Sequence, residues 1–423
     1  MKFQCYTLGC KVNQYESQAM EQQLLSLGHE KSEDFDLCIV NTCTVTAVAD
    51  RKNRTLIRKL RREHPDAVIG VCGCYAQVST DEVKALGVDV VSGSGGREEF
   101  VQMLLHATRE KQQVKVDEAL KRRKFEILPP GGLPERTRAL LKVQDGCSNF
   151  CTYCIIPYAR GPVRSQSIGQ AVKDLKQLEE EGYKEVVITG IEIASWGWDL
   201  RDGTNLTDLC EALCRATPDL RLRLGSLEPR VIDEDFCRRL CIYPNLCPQF
   251  HLSMQSGSDT VLKRMGRKYD SARYYESVEL LNKYFPGCAV TTDLIVGFPG
   301  ETEEEFQDSL AFCRKCGFAK VHVFPYSRRP GTPAAAMKGQ ISRAGKAERS
   351  AEAVRVTEEL KKEYDSALVG TEQEVLFEQT EGDYFTGHAK NSVKVYYKGE
   401  NLRNVIKKVR ISGLMEDGVL AED

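Results

Sequence analysis

No stretch of the 423 residues approaches the about 18 consecutive apolar residues of a membrane helix, so no membrane partner is expected. Net charge is scarce as well: 59 Lys and Arg against 61 Asp and Glu leave −2. That balance excludes a uniformly basic nucleic-acid coat but leaves room for local basic faces. The six histidines do not cluster, so none is assigned as a metal ligand. The N-terminus, MKFQCYTLGC, lacks the basic and apolar regions of a secretory signal and alternates like a strand. The expected compartment is therefore the cytosol.

Cysteine is what the chain has in excess: 17 residues, an odd number. A reducing compartment disfavours structural disulfides, which leaves metal or redox chemistry, or packing as small hydrophobes. Patterning suggests five segments. Residues 1–107 alternate strands (FQCYTL, DLCIVN, AVIGVC, VDVV) with helices over 14–27, 44–62 and 80–86, an α/β unit with a parallel sheet. Residues 108–137, with PPGG in a polar run, read as a linker. Residues 138–342 return to alternation. Six strands (ALLKVQ, EVVIT, LRLRLGS, QFHLSM, CAVTTDLIV, AKVHVF) and five helices suit a partial TIM-type (β/α)6 barrel. Residues 343–366 read as a charged connecting helix, and 367–423 as a small antiparallel β-barrel.

The sharpest motif is DGCSNFCTYCIIPYARG, directly after the first strand of the central unit. Cys147, Cys151 and Cys154 form C-x3-C-x2-C, which suits three irons of a 4Fe–4S cube with the fourth left open. Zinc fits less well, because no fourth ligand is near. This motif resembles that of the radical S-adenosylmethionine (SAM) superfamily. The resemblance implies that the open iron chelates SAM and that Tyr153 packs near the adenine.

A second triad lies in the N-terminal unit: Cys10 in TLGCKVNQYES, Cys43 in VNTCTV and Cys74 in GCYAQ. Each follows a predicted strand, at the sheet end where ligands gather in open α/β folds. They would ligate a second, auxiliary 4Fe–4S cluster; the alternative is buried packing. Cys72 is a rival to Cys74, which is preferred because it lies in the loop. The two triads in this order resemble the methylthiotransferase family, over essentially the whole chain. The resemblance implies a C-terminal TRAM domain and conversion of C–H to C–S–CH3, with SAM and two 4Fe–4S clusters as cofactors. The motifs are most similar to the tRNA threonylcarbamoyladenosine branch, which implies adenosine 37 of tRNA as substrate. The isopentenyladenosine branch typically reads GCQMN and the ribosomal-protein branch GCPKN, where this chain has GCKVN. An electron donor and a sulfur source of unstated identity would be further partners. The rival readings are the same chemistry on isopentenyladenosine tRNA or a ribosomal protein, and a non-catalytic iron–sulfur RNA-binding redox module.

Strand ends of the central unit supply candidates for the SAM pocket: Thr189, Gly190 and Glu192; Ser226 and Glu228; Gln255 and Ser256; Asp293 and Gly297; and Tyr326. A carboxylate there can accept from the SAM ammonium, and glycine lets backbone approach. The pairs Cys210/Cys214 and Cys237/Cys241, the Cys313/Cys316 pair and Cys5, Cys38, Cys247 and Cys288 read as packing. Two basic stretches stand out. Residues 51–62 hold seven basic residues and no acid, a solvated helix or an RNA face. Lys390, Lys394, Lys398, Arg403, Lys407, Lys408 and Arg410, interleaved with Tyr396 and Tyr397, are candidate RNA contacts. Residues 367–423 carry ten acids against those seven bases, so only one face can be electropositive.

Overall fold

The computed structural model describes residues 1–131 and 137–423. Residues 132–136 of the segment read as a linker lie outside the described residues.

The N-terminal unit is a six-stranded, all-parallel sheet. Its strands stand in the order Glu30–Lys31, Lys2–Thr7, Leu37–Thr42, Val68–Gly73, Val90–Ser92, Gln113–Lys115. All six residues of the central Leu37–Thr42 strand are buried, because both sheet faces are covered. Met20 and Leu24 of helix Lys11–Ser26 cover one face, with Phe100 and Leu104 of helix Arg97–Leu105. Ile57 and Leu60 of helix Ala47–Glu63 cover the other. Helix Arg97–Leu105 comes so close that a Cβ on Gly70 would stand 2.5 Å from Leu104 Cδ1. The periodicity did not show this nine-residue helix, the edge strand Glu30–Lys31, the short helix Cys74–Val78, or the strand Gln113–Lys115 inside the polar segment read as a linker. That three-residue strand exists only because Val90–Ser92 offers it a partner.

The central unit has six parallel strands: Arg138–Lys142, Glu185–Thr189, Arg221–Leu224, Gln249–Leu252, Ala289–Val296 and Lys320–Pro325. After Gly225 the third strand continues as Ser226–Leu227, which pairs with the fourth. The barrel is therefore open between its first and sixth strands. The five predicted helices begin at side-chain caps, Ser167, Asn205, Asp233, Asp270 and Thr302, where a side-chain oxygen accepts a free backbone N–H. Asn205 and Thr302 add the reciprocal capping box with Asp208 and Glu305.

The N-terminal unit covers part of the concave side. Tyr15 and Ala19 of helix Lys11–Ser26 pack on Leu140 and Val187 of the first two barrel strands. Helix Arg343–Ala367 leads to a closed five-stranded barrel ordered Glu372–Glu381, Tyr384–Ala389, Lys394–Tyr397, Gly418–Glu422, Val405–Met415. The last of these in sequence, Gly418–Glu422, was not predicted. This barrel docks at the starts of the first three central strands. Arg138 donates to both Glu378 oxygens (2.7 and 2.9 Å), and Arg221 to Glu374 Oε1 at 2.8 Å.

Candidate active site between two cysteine triads

Gly146 leads into the first triad. Its φ is +75°, and a Cβ there would stand 1.9 Å from Pro162 O, so the tight turn before Cys147 needs glycine. The Cys147–Cys154 loop is held from outside by Thr152, whose N donates to Met265 O (2.9 Å) and whose Oγ1 donates to Arg264 O (2.9 Å). Burial pushes the Cys147 thiol up first, then the Glu192 carboxylate and the other two cysteines do so. Burial likewise pushes Cys154 up to about 12, eased by the Ile156 N–H and by Arg267. Arg267 Nη1 donates to Cys151 Sγ at 3.3 Å.

The second triad also converges. Cys10 caps the N-terminus of helix Lys11–Ser26, Cys43 follows the strand Leu37–Thr42, and Cys74 follows Val68–Gly73. Burial raises the Cys43 thiol to about 12, with Cys74 and Cys10 adding to it. Gly9 makes the closeness sterically possible, since a Cβ there would lie 2.5 Å from Cys43 Cβ. Cys72, the rival ligand, is packed in the core with Leu37, Ile39 and Phe100.

One buried charge cluster joins the triads. Glu16, Arg97, Lys142 and Arg160 are all 0% exposed. Glu16 accepts from Arg97 Nη2 (2.8 Å), Lys142 Nζ (3.1 Å), Arg160 Nη2 (3.1 Å) and Arg160 Nη1. Burial alone would raise the Glu16 carboxyl, but Arg160, Arg97 and Lys142 hold it well below the usual range. Arg160 continues to Asn13 Oδ1 (2.6 Å) and, through Nε, to Cys74 Sγ (3.2 Å). It ends the short helix Ile156–Arg160, which starts two residues after Cys154. A second bridge is Arg329, after the sixth barrel strand. It donates to Asp50 Oδ2 and Thr44 Oγ1, both at 2.6 Å, next to Cys43.

The remaining predicted residues divide. Tyr153 lies beside Arg267 and the cysteines. Glu192 Oε1 is buried without a hydrogen-bond partner, as is the Tyr326 hydroxyl. Gly190 admits Gln144, whose Oε1 would lie 2.8 Å from a Cβ there, and Thr189 is buried at the strand end. The Glu228 carboxylate is engaged by Arg230 Nε at 2.8 Å. Ser226 and Asp293 line a cavity inside the barrel. Gln255 and Gly297 contribute positive-φ backbone, and Gly297 makes room for Lys346. The Ser256 hydroxyl is turned onto Ser309 Oγ (3.1 Å), away from this pocket.

The seven basic residues of the C-terminal barrel do not form one face. Lys390 pairs with Glu374 and donates to Pro244 O at the junction with the central unit. Lys394 pairs with Glu381 and Asp417, and Lys407 with Asp423. Lys407 and Lys408 point to opposite sides of their strand. Glu372 and Glu422 stand opposite Arg410 in register, and Lys398, Arg403, Lys408 and Arg410 are exposed. Sequence reading assigned no role to Glu16, Lys142, Arg160, Arg267 or Arg329. Arg160 and Glu16 stood inside the quoted motifs, and a charge inside an otherwise small or apolar stretch was the available signal.

Among the described residues no three His, Cys, Asp or Glu side chains gather tightly enough to hold a single metal ion. Cube ligands stand wider apart, because each thiolate binds its own iron. The donor chemistry fits cubes: two sets of three thiols, each with a guanidinium on one sulfur. The orphaned Glu192 oxygen fits a cationic ligand beside the first set.

The chain is similar to known proteins over both of these units. The radical SAM superfamily matches residues 141–313, and the uncharacterized protein family UPF0004 matches residues 2–93. The chain is 42% identical to the threonylcarbamoyladenosine tRNA methylthiotransferase MtaB of Bacillus subtilis (strain 168), over 96% of this chain and 92% of that protein. It belongs to the threonylcarbamoyladenosine tRNA methylthiotransferase family. The Thermotoga maritima member is 38% identical over 98% of this chain and 95% of its own length. A tRNA-2-methylthio-N(6)-dimethylallyladenosine synthase from Pelotomaculum thermopropionicum is 32% identical over 97% and 95%. The fold of this methylthiotransferase is shared with the radical SAM methyltransferase TsrM from Kitasatospora setae. There the TM-score is 0.59 at 16% identity, over 79% of this chain and 77% of that one.

Glu16→Leu should destabilise the apo-protein by about 3–5 kcal/mol, because three buried cations lose their shared counter-charge. Urea unfolding checks this, and an unchanged midpoint would mean the cluster contributes nothing to holding the two units together.

Proposed function

We propose that this enzyme converts N6-threonylcarbamoyladenosine at position 37 of tRNA to its 2-methylthio derivative. The observation that carries the reading is the convergence of two cysteine triads on one charge cluster, in a chain of this family. The two 4Fe–4S clusters and SAM, when bound, supply the one-electron, sulfur and methyl chemistry.

The chain's own residues bind and orient. Cys147, Cys151 and Cys154 would hold one cluster, and Cys10, Cys43 and Cys74 the auxiliary one. Arg267 and Arg160 present positive charge to Cys151 and Cys74, favouring thiolate over thiol. Glu192 would accept the SAM ammonium and Tyr153 would flank the adenine. Burial fixes the Glu16 carboxylate and its three cations, so the two sulfur sets keep one mutual position through a reaction. The C-terminal barrel is read as a TRAM domain that holds tRNA through Lys398, Arg403 and Lys408. An electron donor and a sulfur source belong to the scheme as partners. No helix among the described residues is long and apolar enough to cross a membrane. A reducing cytosol suits 17 cysteines that are all unpaired.

Nucleoside mass spectrometry after anaerobic reaction with tRNA carrying threonylcarbamoyladenosine tests the reading. The expected product is the 2-methylthio nucleoside; modification of isopentenyladenosine instead, or of a ribosomal protein, would replace it. Replacing Cys147, Cys151 and Cys154 by Ala should halve an iron content of about eight and abolish 5′-deoxyadenosine formation. Replacing Cys10, Cys43 and Cys74 should also halve the iron but spare reductive SAM cleavage while stopping thiolation. Normal product from that second variant would return those cysteines to packing.

Glu192 sets a pH dependence. Burial pushes its carboxyl up to about 7, opposed by Arg267 and reinforced by Glu228. An ammonium pairs with the ionised form, so SAM affinity should fall below pH 7, approaching about ten-fold per pH unit. Isothermal titration between pH 6 and 8 reads this, and Glu192→Gln should flatten the profile. For the RNA face, Lys398→Glu with Lys408→Glu should weaken tRNA binding and reduce the salt slope by roughly 0.7 to 0.9 per lost phosphate contact. Equal dissociation constants at two salt concentrations would remove this face from the RNA interface.

A further inference from the structure

Inside the barrel lies a cavity of about 1030 Å³, walled by the central strands, the start of helix Lys11–Ser26 and the C-terminal barrel. Most cations on its wall are already neutralised. Arg138 is paired with Glu378 and Arg223 with Glu185. Lys361 is paired with Asp365 and Lys394 with Asp417. The remaining carboxylate, Asp293, lies 3.4 Å from His251 Nε2. Two ammonium groups on the same wall, Lys11 and Lys320, have neither a hydrogen bond nor an ion pair among the described residues. Both charges reach His322, whose ring also lines the cavity. Burial first, then Lys320, hold that imidazole below its usual pKa, with His251 and Lys11 adding to the effect against Asp293. The cavity therefore disfavours a charge on that ring and offers two ammonium groups that have no ion pair among the described residues, with burial, then Arg223 and Arg138, lowering the Lys11 pKa against Glu185.

The placement of Lys11 carries an intrinsic cost. It is the first residue of a 16-residue helix that has no acid in its first turn. A cation at a helix N-terminus opposes the helix dipole, so local stability does not account for it. Lys11 follows Cys10 directly in the chain, and its ammonium reaches the strand-start end of the cavity, where Arg223, Arg138 and Glu185 are its charged neighbours.

We infer that Lys11 and Lys320 form an anion pocket that reads the carboxylate of the threonylcarbamoyl substituent, and so act as specificity-determining residues. The inference rests on the proposed reaction. The threonylcarbamoyl group ends in a free carboxylate, and an uncharged alkenyl substituent would leave both lysines unpaired. A charged hydrogen bond rejects an analogue lacking its partner far more strongly than an apolar wall does.

The test uses the anaerobic, cluster-loaded full chain and three anticodon stem-loop RNAs differing only at residue 37: threonylcarbamoyladenosine, its carboxamide, and adenosine. Dissociation constants are measured after the iron content of each protein is confirmed. The wild type should prefer the carboxylate RNA to the carboxamide by roughly ten-fold or more. Lys11→Gln and Lys320→Gln should each shrink that ratio, the double variant should bring it near one, and Lys11→Arg should preserve it. Lys320 is remote from every cysteine of the triads in sequence, so its variant keeps the test decisive if Lys11→Gln loads iron poorly. Equal wild-type affinity for carboxylate and carboxamide would overturn the inference and leave methylthiolation standing. An unchanged ratio in the double variant would overturn it too. Equal weakening toward both RNAs would assign the lysines to backbone phosphate and likewise sink it. Absence of methylthio product from the wild type would instead count against the proposed reaction, whatever the binding ratios.

Discussion

Everything near the proposed chemistry depends on one buried carboxylate. Glu16 sits on the face of helix Lys11–Ser26 that enters the open barrel, and it receives Arg97 from its own unit and Lys142 and Arg160 from the central one. Each of those ions, taken from water alone, would cost several kcal/mol. Together they are tolerated because every charge has partners, and Asp145 adds a second carboxylate at 2.8 Å from Lys142. With Arg164 also at Asp145, the cluster still holds more cations than carboxylates. That surplus lies beside Cys74, where proposed thiolates would need it.

The same contact explains why the N-terminal unit is more than an appended domain. A six-stranded barrel leaves a gap, and Tyr15 and Ala19 pack onto Leu140 and Val187 at its edge. The N-cap position of that helix is Cys10, so packing of the helix also fixes where this cysteine of the second triad stands. Arg329 does the corresponding work from the sixth strand, gripping Asp50 and Thr44. The loops that carry the two sulfur sets are thereby anchored to packed helices and strands, which would hold reacting groups in a fixed relative position.

The C-terminal barrel shows a different principle. Its basic residues are numerous, yet strand alternation and register spread them around the barrel and match several with acids. Lys390 and Arg223 belong to the junction, where Arg223 donates to Lys390 O at 2.9 Å. A count of lysines along a strand therefore overstates the RNA surface, because neighbours in sequence face opposite ways.

Most strands, the five capped helices and the C-x3-C-x2-C motif were legible in the sequence because each is a local signal, whereas Cys10, Cys43 and Cys74, far apart in the chain, were grouped with the help of the family resemblance. Alternation, a capping residue or a spacing of three and two residues needs no knowledge of what lies elsewhere. Strand Gln113–Lys115 was not legible, since three polar-flanked residues become a strand only beside Val90–Ser92. Nor was the role of Ser256, whose hydroxyl is taken by Ser309 fifty-three residues away. Cys74 was preferred to Cys72 on its place after the strand, and the structure packs Cys72 in the core with Ile39 and Phe100. The sequence by itself determined which chemistry the chain carries, because ligand types and motif order are properties of the string. Only the tertiary structure decided which charges stand on those ligands and which stay free. Glu16 meets Arg160 through a contact between residues far apart in the chain, while Lys11 has no ion pair among the described residues, and pairing of buried charge is decided by distance in space.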